Sequence, residues 1–169
     1  MLAAASEAFA ESGQEAQIED IARRASVGVG TVYRHFPTKQ ALFDALARAH
    51  FERLADIVES SDHGGFGALE DALWRCANAV AGNVALCEII GGNPGAAAAA
   101  AEGQERLHAA TARLIDGARA QGAIREDATV QDVRTIMCGF GHVAAAQRAG
   151  AAVDWQRYLT IALDGLRAR

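Results

Sequence analysis

Two prolines in 169 residues and few clusters of β-branched side chains exclude a loop-rich or sheet-dominated chain. With alanine abundant, helix is expected nearly throughout. Cysteine is scarce as well. Cys76, Cys87 and Cys138 share no CxxC spacing and read as small buried hydrophobes of a reducing cytosol. His63, His108 and His142 stand at no metal-ligand spacing from them, so neither a metal nor a cofactor is expected. No apolar run is long enough to span a membrane: the longest, around Gly91 to Ala101, is short and rich in Gly and Ala. No signal peptide is recognisable, and a cytoplasmic location without membrane contact is expected. The sequence also lacks a Ser/His/Asp set, paired carboxylates on one face and an HExxH pattern. An enzyme is therefore not expected, and His142 on its apolar helix reads as a satisfied core residue.

Lysine is nearly absent too. Lys39 is the only one, every other basic side chain being Arg, and the formal net charge of −5 argues by itself against a nucleic-acid partner. The distribution reverses that. Between Gln17 and Arg48, five basic residues (Arg23, Arg24, Arg34, Lys39, Arg48) face three acidic ones (Glu19, Asp20, Asp44), so this segment is mildly basic and the remainder strongly acidic. Such polarity suits a nucleic-acid reader attached to a domain with another task.

The same segment carries the most specific pattern in the chain. Ile18, Ile21, Ala22 and Ala25 fall at helical spacing, and Ser26-Val27-Gly28 interrupts them. A second short helix follows, with Val32 and Phe36 facing inward and Thr31, Tyr33, Arg34 and His35 facing out. Thr38 is placed to cap a third helix that begins at Lys39. Two short helices joined by a tight turn, the second rich in hydrogen-bonding side chains, form a helix-turn-helix suited to the major groove. Thr31 offers a hydroxyl and a methyl to base edges, and Arg34 can fork onto a guanine or clamp the backbone. Lys39 sits where an ammonium and helix N–H groups together hold a phosphate. Gly28 and Gly30 let the backbone approach DNA closely. Gly28-Val29-Gly30 is not a dinucleotide loop, because no strand precedes it and Tyr33 stands where a third glycine is needed.

Residues 2 to 46 resemble the DNA-binding domain of the TetR family of bacterial transcriptional regulators. The run from Leu2-Ala3-Ala4-Ala5 to Phe9-Ala10-Glu11-Ser12-Gly13 resembles its first helix. Asp20-Ile21-Ala22 and Gly30-Thr31-Val32-Tyr33-Arg34-His35-Phe36-Pro37-Thr38-Lys39 resemble its most specific motif. The resemblance implies an all-α protein with a three-helix DNA-binding domain over residues 1–46 and a helical regulatory and dimerisation domain over 47–169. It also implies that Val29, Gly30 and Thr31 approach bases, that Tyr33, His35 and Lys39 hold phosphates, and that Arg34 varies in role. Gln17 and Gly28 complete the DNA-facing set. Three departures stand out. Ser26 replaces the usual turn Gly, at a cost of about 1 kcal/mol if left-handed. Gly28 replaces a common Ser cap, and the basic arm that usually precedes the first helix is expected to be missing.

Beyond the head, helices are expected from about Phe66 to Asn83 and over 84–90, ended by Gly91-Gly92-Asn93-Pro94. A long helix is expected from Ala96 to Gly122, with Gly122 at its C-terminal turn and Ile124 folding back. Thr129 and Asp154 cap the last two helices, whose apolar faces are wide. Val133, Phe140, Ala144, Trp155, Leu159, Ala162, Leu163 and Leu166 are the candidate dimer contacts, with Tyr158 and Ile161 widening the stripe. They suit a four-helix bundle with the same pair of a second subunit, the alternative being that they pack within one chain. Gly139, Gly141, Ala144, Ala145 and Ala146 would let a partner helix come close. By resemblance the middle helices hold a regulatory ligand, with Phe66, Trp74, Cys87, Ile90, Leu107, Met137 and Phe140 as its candidate lining. The scarcity of inward charge suggests a small apolar effector. Together these features describe a homodimeric, ligand-responsive repressor of a palindromic double-stranded DNA operator. The alternatives are a helical enzyme, which turnover of a ligand would reveal, and a protein-interaction adaptor, which would bind its partner independently of salt.

Overall fold

The computed structural model describes residues 1–61 and 64–168, without the side chains of Gln14, Val84, Ala85, Glu88 and Ile89. Asp62 and His63, in the expected loop between Ser60 and Gly65, lie outside the described residues. The helices are α1 (Leu2–Ser12), α2 (Ile18–Arg24), α3 (Val29–His35), α4 (Lys39–Glu59), α5 (Phe66–Ala81), α6 (Val84–Gly91), α7 (Pro94–Ala99), α8 (Ala101–Ala120), α9 (Val130–Arg148) and α10 (Trp155–Asp164). A 3₁₀ turn, Gly13–Glu15, follows α1. Among the described residues the only β-type pairing is an isolated bridge between Ile124 and Arg167.

Two compact units divide the chain. The first runs from Met1 to Phe51 and takes in Asn83–Gly103; the second comprises Glu52–Gly82 and Gln104–Arg169. The unit that holds the helix-turn-helix is thus larger than the 1–46 stretch expected for the head, because α6 packs on α1 and on the 3₁₀ turn. Leu86, Ile90, Ala96 and Ala100 join Phe9, Ile21, Val32, Leu42 and Leu46 in one core. Phe9 and Phe43 meet at 5.0 Å between ring centroids. Asn83, at the start of α6, donates to the carbonyl and the hydroxyl of Ser6 on α1.

In the second unit, α9 packs against α5 and α10. Leu69, Leu73, Ile115, Phe140, Leu159 and Leu163 are all buried there. Arg106 of α8 reaches Asp56 at 2.9 Å and Glu59 at 2.6 Å, both on the last turns of α4.

Caps set the ends of these helices. Thr129 and Asp132 form a reciprocal capping box at α9, and the Asp154 carboxylate accepts from the N–H groups of Gln156 and Arg157 at α10. Three helices end in the same way. Val27 N–H bonds Ala22 O, Ala123 N–H bonds Ala118 O and Ala151 N–H bonds Ala146 O, each at 3.0 Å. These are the long bonds of a Schellman turn, whose next-to-last residue is left-handed. Gly122 (φ 63°) and Gly150 (φ 90°) fill that place after α8 and α9, but after α2 it is Ser26, at φ 53°.

The expected continuous helix from Ala96 to Gly122 is broken. Asn93 caps α7 through its Oδ1, accepting from Ala96 N–H at 3.0 Å, and Pro94 opens the helix. The chain then leaves helical geometry at Ala100 (φ −95°, ψ 8°) before α8 begins. An alanine run carries no periodicity to show where a helix must turn so that Ala96 and Ala100 reach the core.

Candidate nucleic-acid interface

The head is assembled from the residues that its spacing marks. Ile18, Ile21 and Ala22 bury one face of α2, and Val32 is the one fully buried residue of α3. Phe36 and Val29 are half-buried around it. Tyr33, Arg34 and His35 are left exposed in a row, Tyr33 at 46%, while Thr31 is half-buried. Thr38 Oγ1 accepts from Ala41 N–H at 3.0 Å and so caps α4. Lys39 follows, its ammonium 5.9 Å from the Phe9 ring centroid and 6.0 Å from that of Phe43. The aromatic pair holds this cation against the start of α4.

Charge in the head is less free than a count suggests. Arg24 is held by Glu11 of α1, and Arg23 reaches Asp20 at 2.5 Å. The Arg24 guanidinium draws the Glu11 carboxyl below the usual carboxylate range, chiefly by hydrogen bonding. Arg34 has no ion pair among the described residues. Gln17 is exposed ahead of α2, and its side-chain amide donates to Glu15 O at 2.7 Å.

The two glycines of the motif are small where the chain itself does not require it. Neither has a positive φ. A Cβ at Gly30 would meet nothing within 4 Å, and one at Gly28 only Thr31 Oγ1 at 3.9 Å. A glycine inside a helix costs about 0.5–1 kcal/mol relative to alanine. Among the described residues nothing repays that cost at Gly30, and the vacant space lies on the outer surface of the motif.

Residues 1–46 match the profile of the bacterial regulatory proteins of the tetR family. Residues 66–168 match that of the transcriptional regulator SbtR-like C-terminal domain. The chain belongs to the TetR family. Solved structures agree with this membership. A TetR transcriptional regulator from Streptomyces coelicolor, SCO0520, is 31% identical with a TM-score of 0.71, over 99% of this chain and 96% of that one. A TetR transcription regulatory protein from Mycobacterium vanbaalenii is 27% identical with a TM-score of 0.66, covering 99% and 92%. The ketosteroid transcriptional regulator KstR2 of Mycobacterium tuberculosis, 23% identical with a TM-score of 0.67 over 99% and 93%, shares the fold. Comparison with curated proteins gives no match. The protein is accordingly an all-α transcriptional regulator with a helix-turn-helix DNA-binding domain. Among the described residues no helix is long and apolar enough to cross a membrane.

The TetR fold relocates several residues read from the sequence. Val133, Phe140, Ala144, Leu159, Leu163 and Leu166 are buried within a single chain, where they pack into its own core. Trp155 and Ala162 are half-buried, and Trp155 is packed edge-on against Phe140 at 5.2 Å. A Cβ at Gly139 would overlap the Tyr158 hydroxyl, so that small residue admits a ring from α10 of the same chain. The face turned outward is marked by Ile161, 57% exposed. Periodicity identifies an apolar stripe, but not whether the chain's own helices already cover it.

The seven candidate effector contacts divide between the two units. Cys87 and Ile90 belong to the unit of the head, and the other five to the second unit. Phe66 is buried beneath the Arg167 guanidinium at 4.3 Å, Trp74 packs 6.0 Å from Trp155, and Leu107 and Met137 are half-buried. In the second unit a surface groove of about 460 Å³ lies among Gly122, Arg125, Asp127, Gly165 and Arg167, and none of the seven lines it. Of the cysteines, Cys76 alone is buried, its thiol pushed up to about 12 by desolvation; Cys87 is half-buried and Cys138 exposed. His142 is exposed rather than core, with Nδ1 2.9 Å from Cys138 O.

Proposed function

We propose that this TetR-family regulator is a homodimeric, ligand-responsive repressor that reads a palindromic operator by laying α3 in the major groove. The observation that carries the proposal is the outer surface of α3: an exposed row of Tyr33, Arg34 and His35 beside a glycine that no internal contact requires. In this arrangement Val29, Gly30 and Thr31 approach base edges. Tyr33, His35 and Lys39 hold phosphates, Arg34 adds a backbone or guanine contact, and Gln17 and Gly28 flank the groove. Residues 1–46 act as the DNA-binding domain and 47–169 as the regulatory and dimerisation domain. The dimer forms on what α9 and α10 leave outside, centred on Ile161, with the exposed parts of Trp155 and Ala162 at its edge.

An apolar effector in the second domain would separate the two heads from successive grooves. Moving such a switch from 1:99 to 99:1 takes about 5.5 kcal/mol of differential binding. The protein binds and does not turn over its ligand, and it works in the cytoplasm beside its DNA.

Selection of duplexes from a random pool tests this. The expected product is an inverted repeat whose half-sites lie about one helical turn apart, bound with two chains per duplex. Recovery of no enriched sequence, or of a single half-site bound by one chain, would contradict it.

A further inference from the structure

One contact in the first unit has no part in the DNA surface. Cys87 Sγ on α6 lies 3.8 Å from His50 Nε2 on α4. The two residues are 37 positions apart, so no sequence spacing announces the pair. Both are half-buried, reachable but partly shielded from water. The charged side chains described on α1 and the 3₁₀ turn, both packed against α6, are Glu7, Glu11 and Glu15; all are exposed, and Glu11 is held by Arg24. On α4, Arg48, Glu52 and Arg53 flank His50 in sequence and are exposed too. α7, also packed on α6, carries no charged residue. The His50 ring lies edge-on to Phe51 at 5.3 Å, which fixes its plane.

We propose that Cys87 and His50 form a reactive thiol site that takes α,β-unsaturated carbonyl compounds and, through α6, loosens the DNA-binding head. The release step rests on the DNA-binding function proposed above. His50 Nε2 accepts the thiol proton, and the thiolate forms a carbon–sulfur bond to the β-carbon of the electrophile. The alkene π pair moves onto the α-carbon and carbonyl oxygen, and the imidazolium returns the proton to the α-carbon. The product is a thioether with no net change of oxidation state. A thiol beside an imidazolium is more readily ionised than a free one. The adduct adds volume where Leu86 and Ile90, its neighbours on α6, are buried in the core of the head and Asn83 is tied to Ser6. Such overpacking forces the packed elements apart.

The test uses N-ethylmaleimide on the full chain, with modification of the Cys87 peptide followed by mass spectrometry at pH 6 and pH 8. The ratio of the two rates does not depend on accessibility. A free thiol such as N-acetylcysteine slows roughly eightyfold between pH 8 and pH 6, whereas a thiol paired with an imidazole should slow by about fivefold or less. His50→Gln should restore a ratio of several tens, with the helical circular dichroism unchanged. A Cys87 ratio equal to that of N-acetylcysteine, or one that His50→Gln leaves unmoved, overturns the site. For the release step, maleimide added until the Cys87 peptide is fully modified should weaken binding to the selected duplex at least tenfold in the native chain. Cys87→Ser, whose exposed Cys138 still reacts, should bind like untreated protein with or without the reagent. Equal weakening in both, or none in either, overturns the release step. Failure of the untreated protein to select DNA overturns the function of the head, while the two rate ratios still decide the thiol site.

Discussion

Ser26 and Gly122 occupy the same place in the same helix-ending turn, with φ of 53° and 63°. One is the wrong residue for that conformation and the other the right one. An L-residue in the left-handed region costs roughly 1–2 kcal/mol, and replacing glycine by a residue with a side chain removes about 0.4–1 kcal/mol of unfolded-state entropy. Ser26→Gly should therefore stabilise the protein by the difference, about 0.5–1 kcal/mol. Ser26 is exposed, and no side-chain hydrogen bond to it is present among the described residues, so little offsets the gain. Gly122→Ala is the mirror experiment. A Cβ there would meet nothing within 4 Å, so the change imposes backbone strain alone and should destabilise by a similar amount. With urea slopes of about 1–3 kcal/mol per molar, each variant should move the unfolding midpoint by a few tenths of a molar, in opposite directions. A lower midpoint for Ser26→Gly would mean that its hydroxyl holds the turn. A higher one for Gly122→Ala would refute the strain argument itself.

Leu163→Ala should cost about 2–5 kcal/mol, because it opens a cavity in the core of one chain. Ile161→Glu should leave the helical circular dichroism nearly unchanged yet shift light scattering to the monomer; a stable dimer of that variant would move the interface elsewhere. Asp132 is held below the usual carboxylate range, first by the Thr129 hydroxyl and then by the Thr129 N–H. A depressed carboxyl stabilises above its unfolded value and loses that contribution as pH falls through its folded one. The stability gap between wild type and Asp132→Asn should accordingly be present at pH 7 and shrink toward pH 3, and a gap constant with pH would remove the ionised capping box.

The head was legible because its signals are local. The apolar spacing of α2, Val32 alone facing inward on α3, and the Thr38 cap each act within one or two turns, and the structure places them accordingly. What lay beyond reach depends on contacts distant in sequence. Leu159 and Leu163 form a stripe on α10, but only the fold shows α9 of the same chain covering it. Ala96 to Ala101 has no pattern from which the break at Ala100 could be read. Arg24 counted as a free positive charge until α1 placed Glu11 beside it. The membership of α6 and α7 in the unit of the head has no local sign, since Leu86 and Ile90 look like any helical core positions.

The decisive measurement concerns Gly30, where stability and DNA affinity should part company. Alanine at this helical, sterically open position should raise folding stability by about 0.5–1 kcal/mol, because its methyl meets nothing within 4 Å in the chain. The same methyl should stand between α3 and the base edges. Affinity for the selected duplex, measured by fluorescence anisotropy, should then fall while the slope of log K against log salt stays fixed, since no phosphate contact is lost. Lys39→Arg, which keeps the cation, should bind normally. Lys39→Ala should flatten the slope by about 0.9, the counterions released by one phosphate. A Gly30→Ala protein that is more stable and binds its duplex as tightly as the native chain would contradict the placement of α3 against DNA.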